Sequence, residues 1–440
     1  QMGYSGLPMS LLLPPRYSDL GPIGQGGMAQ VRRVRDGLLR SVVAMKICLS
    51  EEEALRKRFF DEARLTAQLH HPSIVAVHDL GSLEDGRPFF TMEEVRGRTL
   101  AQLIEVHHGG EEPDWSLHRL IQVFEKVADA VAYAHSREVI HRDLKPDNVM
   151  VGDFGEVRVM DWGLALWQGR QDPPTEDLHA LDLGPSEGNR TRVGHIMGTP
   201  AYMSLEQARG RKVGPATDIY ALGAILYHLL AGRPPYGGSG VEAWRALLAG
   251  PPLPLIGEKI PEQLGTIAER AMARDLYDRH AEARELAEEV HAWLEGVRRR
   301  EEALRGVAGA EELLPEVRRL RAAVQRARAA ADVALAEVQS YDPVEKKLPG
   351  WRLEAEAATA ERRARQLELE WVLQLRGTLN LDPGLPEAHG RLADFYRDRL
   401  EEAELRRDPV LAEEAEALLR VHDRGQYAAW LQGDGHLSLE

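Results

Sequence analysis

The stretch Val139-Ile140-His141-Arg142-Asp143-Leu144-Lys145-Pro146-Asp147-Asn148 constrains this chain more than any other. It places a carboxylate (Asp143), an ammonium (Lys145) and an amide (Asn148) within six residues, between two apolar runs. Phosphoryl transfer needs those three groups together. A carboxylate accepts the proton of the attacking hydroxyl, a cation offsets charge on the moving group, and an amide oxygen binds Mg²⁺.

Other segments fit the same chemistry. Ile23-Gly24-Gln25-Gly26-Gly27-Met28-Ala29-Gln30-Val31 is a glycine-rich turn whose backbone N–H groups can approach phosphates with no Cβ in the way. Val42-Val43-Ala44-Met45-Lys46 reads as the following strand. Phe60-Asp61-Glu62-Ala63 opens a helical pattern, and Met160-Asp161-Trp162-Gly163 and Gly198-Thr199-Pro200-Ala201-Tyr202-Met203-Ser204-Leu205-Glu206 follow downstream. In this order the segments resemble the elements of protein kinases. They are most similar to the eukaryotic-like (Hanks-type) serine/threonine kinases of bacteria, whose glycine loop often reads G-x-G-G-M. The resemblance covers roughly Arg16 to Gly296.

The resemblance implies a role for each matching residue. Asp143 is the proton acceptor, Lys145 steadies the transferred group, and Asn148 and Asp161 hold Mg²⁺, with Mn²⁺ as the alternative. Lys46 binds the ATP phosphates and pairs with Glu62. Met92 is the gatekeeper, and the adenine edge bonds to the backbone of Glu93 and Val95. Ile23, Val31, Ala44 and Met150 pack on the adenine faces, and Gly24, Gly26 and Gly27 cradle the phosphates. Glu206 should pair with Arg279, and Asp218 should hold the backbone of the catalytic loop. Three positions depart from the family pattern. Ala29 stands for the third loop glycine, Trp162 for a phenylalanine, and Leu205 for a proline whose loss should loosen a rigid turn. Lys145, two residues after Asp143, points to serine/threonine rather than tyrosine specificity. The alternative is a pseudokinase or scaffold that binds nucleotide or protein partners without catalysis. It fits less well, because Lys46, Glu62, Asp143, Lys145, Asn148 and Asp161 are all present.

Composition narrows the partners. A net charge of −15 argues against a general nucleic-acid binder, which would carry a basic face. The single cysteine, Cys48, allows no disulfide within the chain and fits a reducing cytoplasm; its place in a strand reads as a small buried residue. No apolar run reaches the roughly 18–20 residues of a membrane helix. The pairs His70-His71 and His107-His108 lack partners at metal-ligand spacing, and His141 reads as a packed core histidine.

The expected fold is α+β, a bilobal kinase fold with an all-α extension. Residues 1–15 form a leader. The kinase domain spans 16–295, with a β-rich small lobe at 16–92 and a helical large lobe at 96–295. In the latter, Leu117, Leu120, Ile121, Phe124, Val127, Ala128, Val131 and Ala134 repeat at helical steps. The polar run from Gly169 to Val193 carries Thr191, where phosphorylation could recruit Arg142. Beyond Gly296 the chain turns to Ala, Arg, Glu and Leu. Leu313, Val317, Leu320, Val324, Ala327, Ala331, Ala334 and Val338 form one seam, and Leu353, Ala357, Ala360, Ala364, Leu367 and Trp371 a second. Between them a breaker runs from Ser340 to Gly350. Residues 296–378 therefore read as a long antiparallel helical hairpin, with Pro315 kinking or beginning its first helix. Residues 379–440 read as a TPR-like helix pair and tail, the tail ending as a strand on Glu440, as in a chain that continues. The hairpin should dock near the large lobe and offer its outer face to a protein partner. A monomer is preferred to a homodimer.

Overall fold

The first layer follows from the β-branched and aromatic runs near the start of the chain. In the computed structural model, which describes residues 13–26, 28–110, 112–167, 200–257 and 260–431, five strands form an antiparallel sheet. They are β1 (Tyr17–Gln25), β2 (Ala29–Asp36), β3 (Ser41–Cys48), β4 (Val77–Ser82) and β5 (Pro88–Met92), in the order β1-β2-β3-β5-β4. The central strand β3 buries both faces, because successive side chains alternate across a sheet. Val43, Met45 and Ile47 pack with Tyr17, Val34, Leu83 and Phe89 on one side. Cys48, on the other, packs with Phe90 and with Phe59 and Ala63 of helix α1 (Glu53–Thr66). Lys46 shares the α1 side by the same alternation. The helix begins seven residues before the expected Phe60, so Glu62 sits deep within it.

A helical layer follows: β6 (Gly97–Thr99), α2 (Leu100–Gly109), α3 (Leu117–Ser136), β7 (Val139–Ile140), β8 (Val149–Gly152), β9 (Val157–Val159), β10 (Leu166–Trp167), α4 (Leu205–Ala208), α5 (Pro215–Ala231), α6 (Gly240–Ala249) and α7 (Glu262–Ala271). The helical-period residues of α3 are buried from Leu120 to Ala134. They meet α5, which is buried nearly all round and brings Asp218 into the interior.

The chain divides into two compact units, residues 1–294 and 295–440. Helix α8 (Ala283–Glu311) runs through the expected domain edge at 295. In the second unit follow α9 (Leu314–Leu335), α10 (Val344–Leu381), α11 (Pro386–Arg406), α12 (Pro409–His422) and the short α13 (Ala428–Leu431). Pro315 lies in the first turn of α9, where its missing N–H costs nothing. Helices α9 and α10 are antiparallel, with Arg321 bidentate on Glu368 and a single bond from Arg328 to Glu361. Both seams are buried or half-buried along their length. The expected breaker is shorter than read: α10 already begins at Val344, and Pro349 lies inside it. Gly350 is used for packing there, since a Cβ would stand 2.4 Å from Leu335 Cγ. The hairpin and the terminal pair also share one core. Ala303, Val307 and Ala310 of α8 pack with Trp371 and Leu375 of α10 and with Leu392, Tyr396 and Leu419. The tail from 432 and the leader up to residue 12 lie outside the described residues. Among the described residues no helix is long and apolar enough to cross a membrane.

Candidate active site

Strand register builds one wall of the site. Gly24 pairs with Val31, Val31 with Lys46, Lys46 with Phe90, and Ala44 with Met92. Residues directly opposite in an antiparallel ladder share a face, as do positions two apart. Gly24, Val31, Ala44, Lys46 and Met92 therefore line one face of the sheet. Ile23 is 47% exposed beside them. Gly27 lies outside the described residues. Neither Gly24 nor Gly26 has a left-handed backbone, and a Cβ would meet nothing within 4 Å at Gly24 and only the Ala29 carbonyl, at 3.9 Å, at Gly26. The fold itself does not demand glycine there. Open space over a backbone turn fits a phosphate-bearing ligand, which a side chain would displace.

Lys46 Nζ lies 2.6 Å from Glu62 Oε1 and 3.3 Å from Asp161 Oδ1. Burial opposes the Lys46 charge, but the two carboxylates outweigh it and hold its pKa above the ordinary lysine value. Burial likewise works against Asp161, and Lys46 more than offsets it, leaving Asp161 below the usual carboxylate range. Asp161 has a φ of 61°, a conformation that aspartate tolerates better than most residues. A Cβ at Gly163 would come within 3.1 Å of Glu62 Oε2, so a side chain there would press on the carboxylate that holds Lys46. Trp162 is 1% exposed, its ring 4.5 Å from that of His141, and its indole N–H donates to the Val159 carbonyl at 3.4 Å.

The loop that carries Asp143 is pinned from behind. Asp218, fully buried, accepts from the backbone N–H groups of His141 (Oδ2) and Arg142 (Oδ1), each at 2.8 Å, and from His135 Nε2 at 2.8 Å. Burial alone would raise its pKa; the His135 bond and the loop amide outweigh that and lower it. His141 commits both ring nitrogens, donating from Nε2 to the Met160 carbonyl at 3.1 Å and accepting the Asp143 N–H at Nδ1 at 3.3 Å. It is a structural residue. Asn148 Nδ2 donates to Asp143 O at 2.8 Å and Oδ2 at 3.3 Å, which turns its own oxygen the other way. Lys145 Nζ stands 3.3 Å from Asp143 Oδ2. Burial raises the pKa of Asp143, and Lys145 draws it back only in part. The fold thus brings Lys46, Glu62 and Asp161 together, and Asp143, Lys145 and Asn148 together, with Asp143 and Asp161 near enough to feel each other's charge.

Support comes first from a pair expected from the sequence. Glu206 is bidentate with Arg279, at 2.8 and 3.0 Å, and the guanidinium also donates to the Ala216 and Ala273 carbonyls. Leu205 does not loosen the turn as expected: Ser204 caps α4 in a reciprocal box with Gln207. Gln207 Nε2 also donates to the Arg142 carbonyl at 2.8 Å. The Ser-x-x-Gln cap was legible in sequence; its second bond was not. Arg158 holds Glu93 with two bonds of 2.7 and 2.8 Å. Thr191 and Thr199 lie outside the described residues. Among the described residues no three His, Cys, Asp or Glu side chains cluster as a metal site. Asn148 and Asp161 each carry a side-chain oxygen that could hold a divalent cation shared with nucleotide phosphates.

Residues 17–256, more than half of the chain, match the protein kinase domain. The chain belongs to the protein kinase domain family. It is 35% identical over 297 residues to the serine/threonine-protein kinase PknD of Protochlamydia amoebophila (strain UWE25), covering 64% of this chain and 30% of that protein. It is 36% identical over 293 residues to PknD of Chlamydia felis (strain Fe/C-56), covering 64% and 31%. A probable serine/threonine-protein kinase PknB of Bifidobacterium longum (strain NCC 2705) is 35% identical over 289 residues, covering 62% and 39%. The chain thus spans about a third of the length of these relatives.

Proposed function

We propose that this chain is a bacterial serine/threonine protein kinase, transferring the γ-phosphoryl group of ATP to Ser and Thr hydroxyls of itself and of a partner protein. The observation that carries this reading is the bonded set Glu62–Lys46–Asp161 beside Asp143–Lys145–Asn148. Asp143 accepts the proton of the substrate hydroxyl. Its raised pKa suits that task, because a general base works best when its pKa approaches the working pH. Lys145, bonded to the same carboxylate, offsets charge on the transferred group. Lys46, held by Glu62, orients the phosphates, and the N–H groups of the glycine turn cradle them. Asn148 and Asp161 would hold Mg²⁺ or Mn²⁺, which when bound would supply positive charge to offset that of the phosphates. The adenine edge meets the backbone of Glu93 and Val95. Glu93 gives its N–H to the Ala76 carbonyl at 2.9 Å, leaving its own carbonyl for the nucleotide.

Cytoplasmic residence is supported by the one buried, unpaired cysteine, Cys48. For residues 295–440, the mutual burial of the two seams supports a monomer whose outer helix faces meet a protein partner. The decisive test is Asp143→Asn. Phosphoryl transfer from ATP should fall by roughly 10²-fold or more, with wild-type sites mapping to Ser and Thr by mass spectrometry. Retained activity would remove Asp143 from its role, and label confined to tyrosine would overturn the specificity.

A further inference from the structure

The two acidic residues after β5 are each gripped by an arginine from a different side. Glu94 is nearly buried and accepts Nε and Nη2 of Arg33, on β2. Glu93 is held by Arg158, on β9, through Nε and Nη2 at 2.7 and 2.8 Å. The remaining nitrogen of Arg158, Nη1, donates to the Pro72 carbonyl at 2.6 Å and to the Val157 carbonyl at 3.2 Å. The guanidinium therefore joins three segments: the connection after β5, strand β9, and the turn that follows α1. That turn is itself tied to β9, with Val159 N–H donating to Ser73 O and Val75 N–H to Val159 O. Arg158 is also paired directly with Met150 of β8, so the two side chains share a face. Met150 is the residue assigned to the floor under the adenine.

We propose that Arg158 is a positioning residue for nucleotide recognition: by clamping the Glu93 side chain, while Ala76 fixes the Glu93 N–H, it presents the Glu93 carbonyl to the adenine edge. This rests on the reading of residues 92–95 as the adenine-binding segment. A residue anchored at both its N–H and its side chain has little freedom left at its carbonyl. A planar fork that bonds a carboxylate bidentately sets direction as well as distance, which an ammonium does not. The nucleotide gains because the acceptor is already in place when it arrives.

The test uses the full chain and ADP, with binding read by calorimetry and turnover read at saturating ATP. Arg158→Met keeps the aliphatic stem and removes the fork. It should raise the Kd for ADP roughly five- to tenfold and leave kcat within about twofold, since no reacting atom touches Arg158. Glu93→Gln keeps the carbonyl and removes the charge, and should weaken ADP by a similar factor. The double variant should be no weaker than either single one, because both remove the same clamp. Arg158→Lys should recover only part of the loss. An unchanged Kd in Arg158→Met, additive losses in the double variant, or a parallel fall in kcat would overturn the proposal. Val95→Pro tests the underlying reading, because it deletes the backbone N–H assigned to the adenine. If Val95→Pro binds ADP as wild type does, the assignment of residues 92–95 fails. If it loses binding while Arg158→Met does not, that assignment stands and the clamp fails.

Discussion

Asp218→Asn is a one-atom change whose cost can be worked from three bonds. Oδ2 takes the His141 N–H and His135, and Oδ1 takes the Arg142 N–H. An amide has only one oxygen. If that oxygen faces Arg142, the new NH₂ points at the His141 N–H. If it is turned round, the Arg142 N–H is orphaned instead. His135 can adjust by changing tautomer, but a backbone N–H cannot. One buried amide is therefore left without a partner in either orientation, at about 1–3 kcal/mol, and the surviving bonds lose their charge assistance for about 1 kcal/mol more. The sum is about 2–4 kcal/mol, or a fall of roughly 5–10 °C in the melting of the kinase unit.

The location of the damage matters as much as its size. Arg142 holds a φ of 68°, a conformation costing roughly 1–2 kcal/mol in a non-glycine residue. Its amide bond to Asp218 is one restraint on that conformation, and Gln207 on its carbonyl is another. With the first lost, residues 141–143 should relax, and Asp143 moves with them. Hydrogen exchange at the His141 and Arg142 amides should accelerate, and turnover should drop by roughly 10-fold or more, as small misplacements of a reacting group do. Thermal melts, amide exchange by mass spectrometry and kcat test the three links separately. A variant within about 0.5 kcal/mol of wild type, with unchanged exchange at these two amides, would refute the reasoning.

Other perturbations have equally definite outcomes. Lys46→Met should reduce phosphoryl transfer by about 100-fold while keeping the fold, because Glu62 can take up a proton when its partner goes; circular dichroism and a kinase assay check both halves. Glu206→Gln leaves the fully buried guanidinium of Arg279 without its carboxylate and should cost about 3 kcal/mol in chemical denaturation. Burial, with His389 and two nearby arginines, lowers the pKa of His422 to about 4. The unfolded chain titrates near 6.5 and binds the proton first, so this group's stabilisation of the second unit is complete above pH 6.5. It is lost as pH falls toward 4, by about 3 kcal/mol in all. Urea unfolding at pH 7 and pH 4.5 should show that loss in wild type and a smaller one in His422→Phe.

Local rules were readable and long-range partners were not. The apolar period of α3 and the two seams of the helical unit report helix faces directly, and those faces are the buried ones. The start of α1 was misplaced because Glu53, Arg56, Lys57 and Arg58 gave its first turns a loop-like polarity. Pro349-Gly350 read as a break because both residues usually punctuate chains, whereas here the glycine admits Leu335 and the proline lies inside the helix, which continues at the loss of one backbone hydrogen bond. Gln207 meets Arg142 from 65 residues away, and Arg158 meets Glu93 from a similar distance. No periodicity encodes such pairs, since the fold alone brings them together. The same holds for His389 and His422, whose Nδ1 atoms lie 3.1 Å apart inside the second unit.

The three departures from the family pattern each have a physical account, and the accounts differ. Ala29 packs its methyl group against the small cluster of Cys48, Phe59 and Phe90 while its carbonyl closes the turn from Gly26. A methyl there adds apolar contact and leaves the open space at Gly24 and Gly26 untouched. Trp162 fills the interior behind Asp161 and adds a donor that a phenylalanine lacks, satisfied by the Val159 carbonyl. Leu205 gives up proline's fixed φ but sits buried in the first turn of a helix that Ser204 and Gln207 cap reciprocally. The cap satisfies the Ser204 and Gln207 N–H groups, and the Gln207 side chain also holds the catalytic loop through its Nε2. None of the three touches Lys46, Glu62, Asp143, Lys145, Asn148 or Asp161 through a polar bond. The six groups stand in two bonded sets of three, and the three departures leave both sets intact, as the proposed catalysis requires.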